Sequence, residues 1–358
     1  MLKVYVHGSF MYDNFGDYLL FAKIMNVLNK CGKEVQAYSA NVNDFYKDFL
    51  SYSCMDGRAA LKQADCAVFA GGGYFGEPNH HKIYWNMRML LKHAYPALKL
   101  IKKGKPVCIL GVGVGPLSCS ISRRVVANIF NKSELVAVRD EESREFLRQY
   151  GVKKQVHVLP DWIMSCDVDE LVKEGNETVV MPSKGRILIH LASKNKGGES
   201  PIEIIIRDIL ALEKKYKKKF LIITDQADNK QIERAEILQE KLKGIDIEIY
   251  RYHDPYELCR VIQNAQAVLT DKLHVGIVAT RLGVPAFSVA YHNKTKRFYK
   301  QINREEYCVA IEDVKEGLIK EWLINGENKI SKITNVIEQA KKNEELLEQF
   351  IAEQIRGK

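Results

Sequence analysis

Short apolar runs recur along this chain. Most are closed by glycine, a carboxylate or a cation, and most are followed by a helix-forming stretch. The first half carries Leu2–Val6, Val35–Ser39, Cys66–Ala70, Pro106–Leu110, Leu135–Val138 and Val156–Leu159. Helical segments over 18–29, 82–102 and 121–131 lie between them, with an expected N-cap at Asp17 for the first. Continuous apolar runs of strand length, separated by helices, predict parallel strands covered on both faces. That pattern restricts the fold to doubly wound α/β sheets.

The alternation pauses over the polar, Gly-containing residues 166–185 and then restarts. Strands are expected at Arg186–Leu191, Phe220–Thr224, Asp246–Arg251, Ala267–Leu269 and Ala286–Ala290, with helices over 202–216, 230–243 and 255–264. This predicts a Rossmann-like domain over 1–165 and a second over 186–325, facing each other across a cleft in a GT-B-like architecture. The apolar positions Ile330, Ile333, Ile337, Ala340, Leu347 and Ile351 recur at helical spacing, so 326–358 is expected to form a terminal helix.

Ligands of open α/β sheets sit outside the carboxyl ends of the strands, so the residues after each strand are the candidates for chemistry. One crossing is especially dense. After Ala267-Val268-Leu269 and Thr270 come Asp271, Lys272 and His274. A helix of small and branched apolar residues follows, with a stop at Gly283 and Pro285. In the first half the corresponding turns are Gly71-Gly72-Gly73 and Gly111-Val112-Gly113-Val114-Gly115. Glycine there lets a ligand or backbone approach closely and leaves amides available to an anion. Gly111-x-Gly113-x-Gly115 is not the dinucleotide fingerprint, and no GxxxxGK[ST] loop is present. A nicotinamide enzyme and a Walker ATPase are both excluded.

The chain has 358 residues and a net charge of +9, with lysine and arginine spread along its length rather than massed in an arm. Such a surface favours anionic partners in general: phosphorylated substrates, anionic lipid surfaces or nucleic acid. Of these, nucleic acid is not among the expected partners. The eight cysteines form no CxxC pair and no zinc-finger spacing, so a metal site is not expected. They read as thiols of a reducing compartment. Met1 leads directly into a strand with no signal peptide, and no apolar run is long enough to span a bilayer. A cytoplasmic protein is expected, with a peripheral contact at the inner face of the membrane.

Taken in order, these motifs resemble the polysaccharide pyruvyl transferase family. The residues that carry the resemblance are Asn14-Phe15-Gly16-Asp17, Gly71-Gly72-Gly73, Gly111 to Pro116, Arg139-Asp140-Glu141-Glu142-Ser143, Pro160-Asp161, Asp271-Lys272-Leu273-His274, Gly283-Val284-Pro285 and Tyr291-His292-Asn293-Lys294. At Lys272 the chain departs from the family's usual arginine. Lysine keeps the charge and loses the bidentate fork.

The resemblance implies transfer of a pyruvyl group from phosphoenolpyruvate to a sugar of a surface polysaccharide precursor, such as lipid-linked galactose. The product would be a cyclic ketal, formed without cofactor or metal. It further implies His274 as general acid, with Lys272, Arg139 and Lys294 binding the carboxylate and phosphate and Gly72 and Gly73 beside them. A donor with about three negative charges calls for several fixed cations. An imidazole with a pKa near about 6.5 suits protonation of the methylene carbon.

By analogy with GT-B enzymes, the acceptor is expected on the first domain. There Asp13, Asn14, Asp17 and Glu77 can hydrogen-bond sugar hydroxyls, as can Asn79, His80 and His81. Tyr74, Phe75, Tyr84 and Trp85 offer aromatic faces to sugar rings. A nucleotide-sugar glycosyltransferase of the same architecture is the alternative, and a binding module that kept only the fold is a third reading. The glycosyltransferase would carry a carboxylate pair for ribose, for which Glu305-Glu306 and Glu312-Asp313 are the nearest candidates.

Overall fold

The computed structural model describes residues 1–40, 42–78, 80–173, 182–191, 201–325 and 333–357. They divide into two compact units. The first comprises Met1–Asp13, Asp17–Ser165 and Thr334–Lys358; the second comprises Asn14–Gly16 and Cys166–Ile333.

The first unit is built on a parallel seven-stranded sheet. Its elements run β1 (Leu2–His7), α1 (Phe15–Lys30), β2 (Val35–Ser39), β3 (Ser53–Cys54), α2 (Gly57–Gln63), β4 (Cys66–Ala70), α3 (Lys82–Arg88), α4 (Tyr95–Lys102), β5 (Val107–Val112), α5 (Ser120–Lys132), β6 (Leu135–Val138), α6 (Glu141–Gln149) and β7 (His157–Val158). The strand order is β3-β2-β1-β4-β5-β6-β7. The chain therefore winds outward in both directions from a switch point between β1 and β4. Every residue of β4 and β5 is buried, as a strand covered on both faces requires.

Helix α1 starts at Phe15, not after Asp17, which corrects the expected N-cap. Asp17 lies in the first turn, where its carboxylate suits the positive end of the helix dipole. The early start follows from Phe15 itself. Its ring is fully buried, and its N–H donates to the carbonyl of Asp225 at 3.0 Å. Burying a phenylalanine contributes about 1.5–3 kcal/mol, more than a cap does. The helix expected over 82–102 is continuous but not uniform, because Met89–Ala94 is π-helical between α3 and α4.

The second unit carries α7 (Val168–Leu171), β8 (Arg186–His190), α8 (Pro201–Tyr216), β9 (Lys219–Ile223), α9 (Asn229–Lys241), β10 (Ile247–Tyr250), α10 (Pro255–Gln263), β11 (Ala267–Thr270), α11 (Leu273–Arg281), β12 (Ala286–Ala290), α12 (Asn293–Gln301), β13 (Cys308–Ala310) and α13 (Leu318–Asn325). Its six strands are parallel, in the order β10-β9-β8-β11-β12-β13, so this switch point falls between β8 and β11.

The closing helix, α14 (Thr334–Arg356), belongs with the first unit. Ala340, Asn343, Leu347, Phe350 and Ile351 form its buried face. Asn343 donates to the carbonyl of Pro160 at 2.9 Å, and Glu344 pairs with the buried Lys23 at 3.0 Å. That packing accounts for the apolar spacing of the tail; Ile330 lies outside the described residues. No helix among the described residues is long and apolar enough to cross a membrane.

Candidate active site

In the second unit, polar groups gather where the chain leaves β8, β9 and β11, around that unit's switch point. His190 ends β8, Asp225 follows β9, and Asp271 and Lys272 follow β11. Asp225 is the hub. Its Oδ1 lies 3.2 Å from His190 Nε2 and 3.7 Å from Lys272 Nζ, and it accepts from Gln231 Nε2 at 2.5 Å. Its own N–H donates to Gln231 Oε1 at 3.1 Å. Burial alone would raise the Asp225 pKa. Lys272, His190 and the hydrogen bonds from His190 and Gln231 outweigh that cost and hold the carboxyl well below the usual range.

The other face of His190 meets Thr270 Oγ1 at 3.3 Å and Asp271 Oδ1 at 3.7 Å. Thr270 Oγ1 in turn accepts from the N–H of Lys272 at 3.0 Å. The ammonium of Lys272 is thus set against Asp225 while its side chain remains 33% exposed.

Lys272 has extended backbone and occupies the N-cap position of α11, with His274 in the first turn. The imidazole of His274 packs on Gly16. A Cβ built on Gly16 would stand 1.9 Å from His274 Nδ1 and 2.1 Å from its Cγ. Glycine at 16 is therefore demanded by the imidazole, which explains its place in the Asn14–Asp17 motif. The Asp225 carbonyl that receives Phe15 N–H ties the same segment to the hub. Lys294 is exposed in the first turn of α12, after β12, the strand that pairs with β11.

In the first unit Arg139 follows β6 and is 7% exposed. Its guanidinium lies against the glycine turns: a Cβ on Gly113 would meet it at 2.6 Å, and one on Gly73 at 3.3 Å. Gly72 supports the same turn, its carbonyl accepting from Gly113 N–H at 2.8 Å. Arg139 Nε stands 3.6 Å from Asp140 Oδ2. The other carboxylate oxygen of Asp140 caps α6, accepting from Ser143 N at 2.8 Å and Ser143 Oγ at 2.7 Å. Burial pushes the Asp161 carboxyl up, and the charge of Arg139 pulls against it.

The sequence-predicted acceptor residues fare differently. Asp13, Asn14 and Asp17 are half-buried, Asp13 and Asp17 in the first unit and Asn14 in the second. Glu77 ties its segment to the Ser118 loop and to α3. Its carboxylate accepts from Ser118 N at 3.0 Å, from Ser118 Oγ at 3.1 Å and from Asn86 Nδ2. Asn79 lies outside the described residues.

At the first unit's own switch point sits a chain of rings that the sequence did not announce. Tyr5 Oη lies 3.0 Å from His7 Nδ1, and His7 Nε2 lies 3.0 Å from His93 Nδ1. Tyr74 stacks on His93 at 4.5 Å. Burial lowers the His7 pKa to about 3; burial and the neighbouring His7, Arg88 and Lys92 lower that of His93 to about 2.

The model of the family described as polysaccharide pyruvyl transferase matches residues 14–293, which takes in the Asn14–Asp17 segment, both glycine turns, Arg139 and the Asp271–His274 crossing. The chain belongs to the polysaccharide pyruvyl transferase family. This pyruvyl transferase family enzyme is 22% identical over 320 residues to the amylovoran biosynthesis protein AmsJ of Erwinia amylovora, covering 82% of this chain and 69% of that protein. Among solved structures it is similar to S. aureus MnaA with UDP, at a TM-score of 0.65, 13% identity and coverage of 99% of this chain and 96% of that one. It is also similar to the UDP-GlcNAc 2-epimerase of Methanocaldococcus jannaschii, at 0.64 and 15%, covering 98% and 100%. At such identity the likeness is one of fold, and it establishes the GT-B-like class for this pyruvyl transferase.

Proposed function

We propose that this chain transfers the pyruvyl group of phosphoenolpyruvate to a sugar of a surface polysaccharide precursor, with lipid-linked galactose as the favoured acceptor, to form a cyclic ketal. The observation that carries the reading is the Asp225–Lys272–His274 arrangement closed by Gly16, within the span that matches the family. Lys272, set by Asp225, binds the anionic donor, and Lys294 adds a second cation. His274 delivers a proton to the methylene carbon, which leaves an oxocarbenium-like centre at C2. One sugar hydroxyl adds there and phosphate departs with its bond to C2. The second hydroxyl then closes the ketal, and the two hydroxyl protons are released. Arg139 is assigned to the donor on the family resemblance, with Gly72 and Gly73 beside it. Asp13, Asn14, Asp17 and Glu77 are assigned to the acceptor.

The test is incubation with phosphoenolpyruvate and a panel of lipid-linked and aryl β-galactosides. The expected product is heavier than the acceptor by pyruvic acid less water, with one phosphate released per product. Turnover with UDP-galactose and none with phosphoenolpyruvate would replace this reading by a glycosyltransferase.

A further inference from the structure

The continuous helix formed by α3, the π-helical segment and α4 leaves an apolar stripe in water. Ile83, Tyr84, Met87, Leu91 and Tyr95 are between 52% and 80% exposed. Four of them recur every four residues. On a helix of 3.6 residues per turn each such step advances by about 40°. The wider π-helical turns at Met89–Ala94 take back part of that advance and hold the stripe to one side. Single exposed apolar residues are ordinary, but a contiguous row of this size marks an interaction surface.

The charges around the stripe say what covers it. From residue 78 to residue 133 the sequence has ten lysines and arginines and no aspartate or glutamate. Lys82 and Lys92 flank the stripe on its own helix and are exposed; Arg88 beside them is half-buried. On α5, which follows in the same acid-free stretch, Ile121, Arg123 and Arg124 are exposed as well. A second copy of the chain would be a poor cover. A two-fold contact sets the same patch against itself and would bring these cations face to face. Apolar and tyrosine side chains edged by lysine and arginine, on a stretch of sequence without acid, match the boundary between anionic headgroups and acyl chains.

We infer that the 82–102 helix docks this chain on an anionic lipid surface, its apolar stripe entering the headgroup boundary and its cations meeting lipid phosphates. The inference extends the proposed lipid-linked acceptor, which would be presented at such a surface. Its test reads binding without turnover, so its failure leaves the transferase reading standing, and loss of transferase activity would leave the docking surface standing.

The experiment is co-sedimentation of the full chain with vesicles of phosphatidylcholine alone or with phosphatidylglycerol. Binding is expected only to the anionic vesicles, with a loss of tenfold or more when salt is raised from low to high. The Met87→Glu/Leu91→Glu variant should lose that binding while keeping its circular dichroism. The Lys82→Ala/Lys92→Ala variant touches only exposed side chains and decides the matter if the first fails to fold. It should weaken binding by about fivefold per cation removed. Unchanged vesicle binding by these variants would overturn the inference. So would light scattering that shows a dimer in the parent and a monomer in Met87→Glu/Leu91→Glu, since the stripe would then be a self-interface.

Discussion

The tightest packing relation at the candidate site is that between Gly16 and His274, and Gly16→Ala tests it. The added methyl would stand 1.9 to 2.4 Å from three atoms of His274, where ordinary contact begins near 3.4 Å. The imidazole must therefore move by roughly 1.5 Å, or the helix start must. Gly16 does not have a positive φ, so alanine meets no backbone penalty there, and within α1 it gains up to about 1 kcal/mol of helix propensity. The cost then falls on the reacting geometry. A misplacement of about 1 Å can lower turnover by about 10²-fold, so Gly16→Ala should lose at least that in kcat. Its melting temperature should stay within a few degrees of the parent. The assay is phosphate release from phosphoenolpyruvate with a competent acceptor, alongside thermal unfolding. A folded Gly16→Ala that turns over like the parent would refute the placement of His274 at the reacting centre.

His274→Gln keeps approximate volume and hydrogen bonding but cannot act as an acid, so kcat should fall roughly 10²–10⁴-fold with little change in donor affinity. Lys272→Ala should show the reverse balance, measured as donor-induced thermal stabilisation. Asp225→Asn removes the charge that fixes Lys272 and should raise KM for the donor more than it lowers kcat. Because the folded Asp225 pKa is depressed, its contribution to stability is present above about pH 4 and is lost as pH falls through the lower folded value. His7 and His93 act in a higher window. Their folded pKa values of about 3 and about 2 lie below the ordinary 6.5, so full stability is present above pH 6.5 and declines as pH falls. At pH 5 the loss is about 2 kcal/mol per histidine, or about 4 kcal/mol for the two. Denaturant unfolding at pH 7.5 and pH 5 reads it directly, and a His7→Phe/His93→Leu variant with the same pH slope would contradict the assignment.

Most strands were legible because buried parallel strands are continuous apolar runs. Val35–Ser39, Cys66–Ala70, Leu135–Val138 and Ala286–Ala290 lie where the sequence sets them. The two-residue β3 and three-residue β13, short pieces at the sheet edges, were not among the expected strands. The start of α1 was misread because a contact with Asp225, distant in sequence, outweighs a local cap. The site divides in the same way. Lys272 and His274 share one crossing and could be found from spacing. His190 and Asp225 could not, because His190 ends an apolar strand and Asp225 follows another, and only the β8, β9 and β11 neighbourhood joins them. The signal that would have found them is the rule already applied in the first half, that residues after each strand face the ligand side. Glu77 has partners that sequence could not show. A carboxylate beside aromatics suggests a sugar site, and three hydrogen bonds from Ser118 and from Asn86 of α3 hold it in place.

The most direct measurement of the central claim is mass analysis of a β-galactoside after incubation with the full chain and phosphoenolpyruvate, with His274→Gln in parallel. The account predicts an acceptor heavier by pyruvic acid less water, one phosphate released for each, and near silence from the variant. Equal product from parent and variant, or product only when a nucleotide-sugar replaces phosphoenolpyruvate, would contradict it.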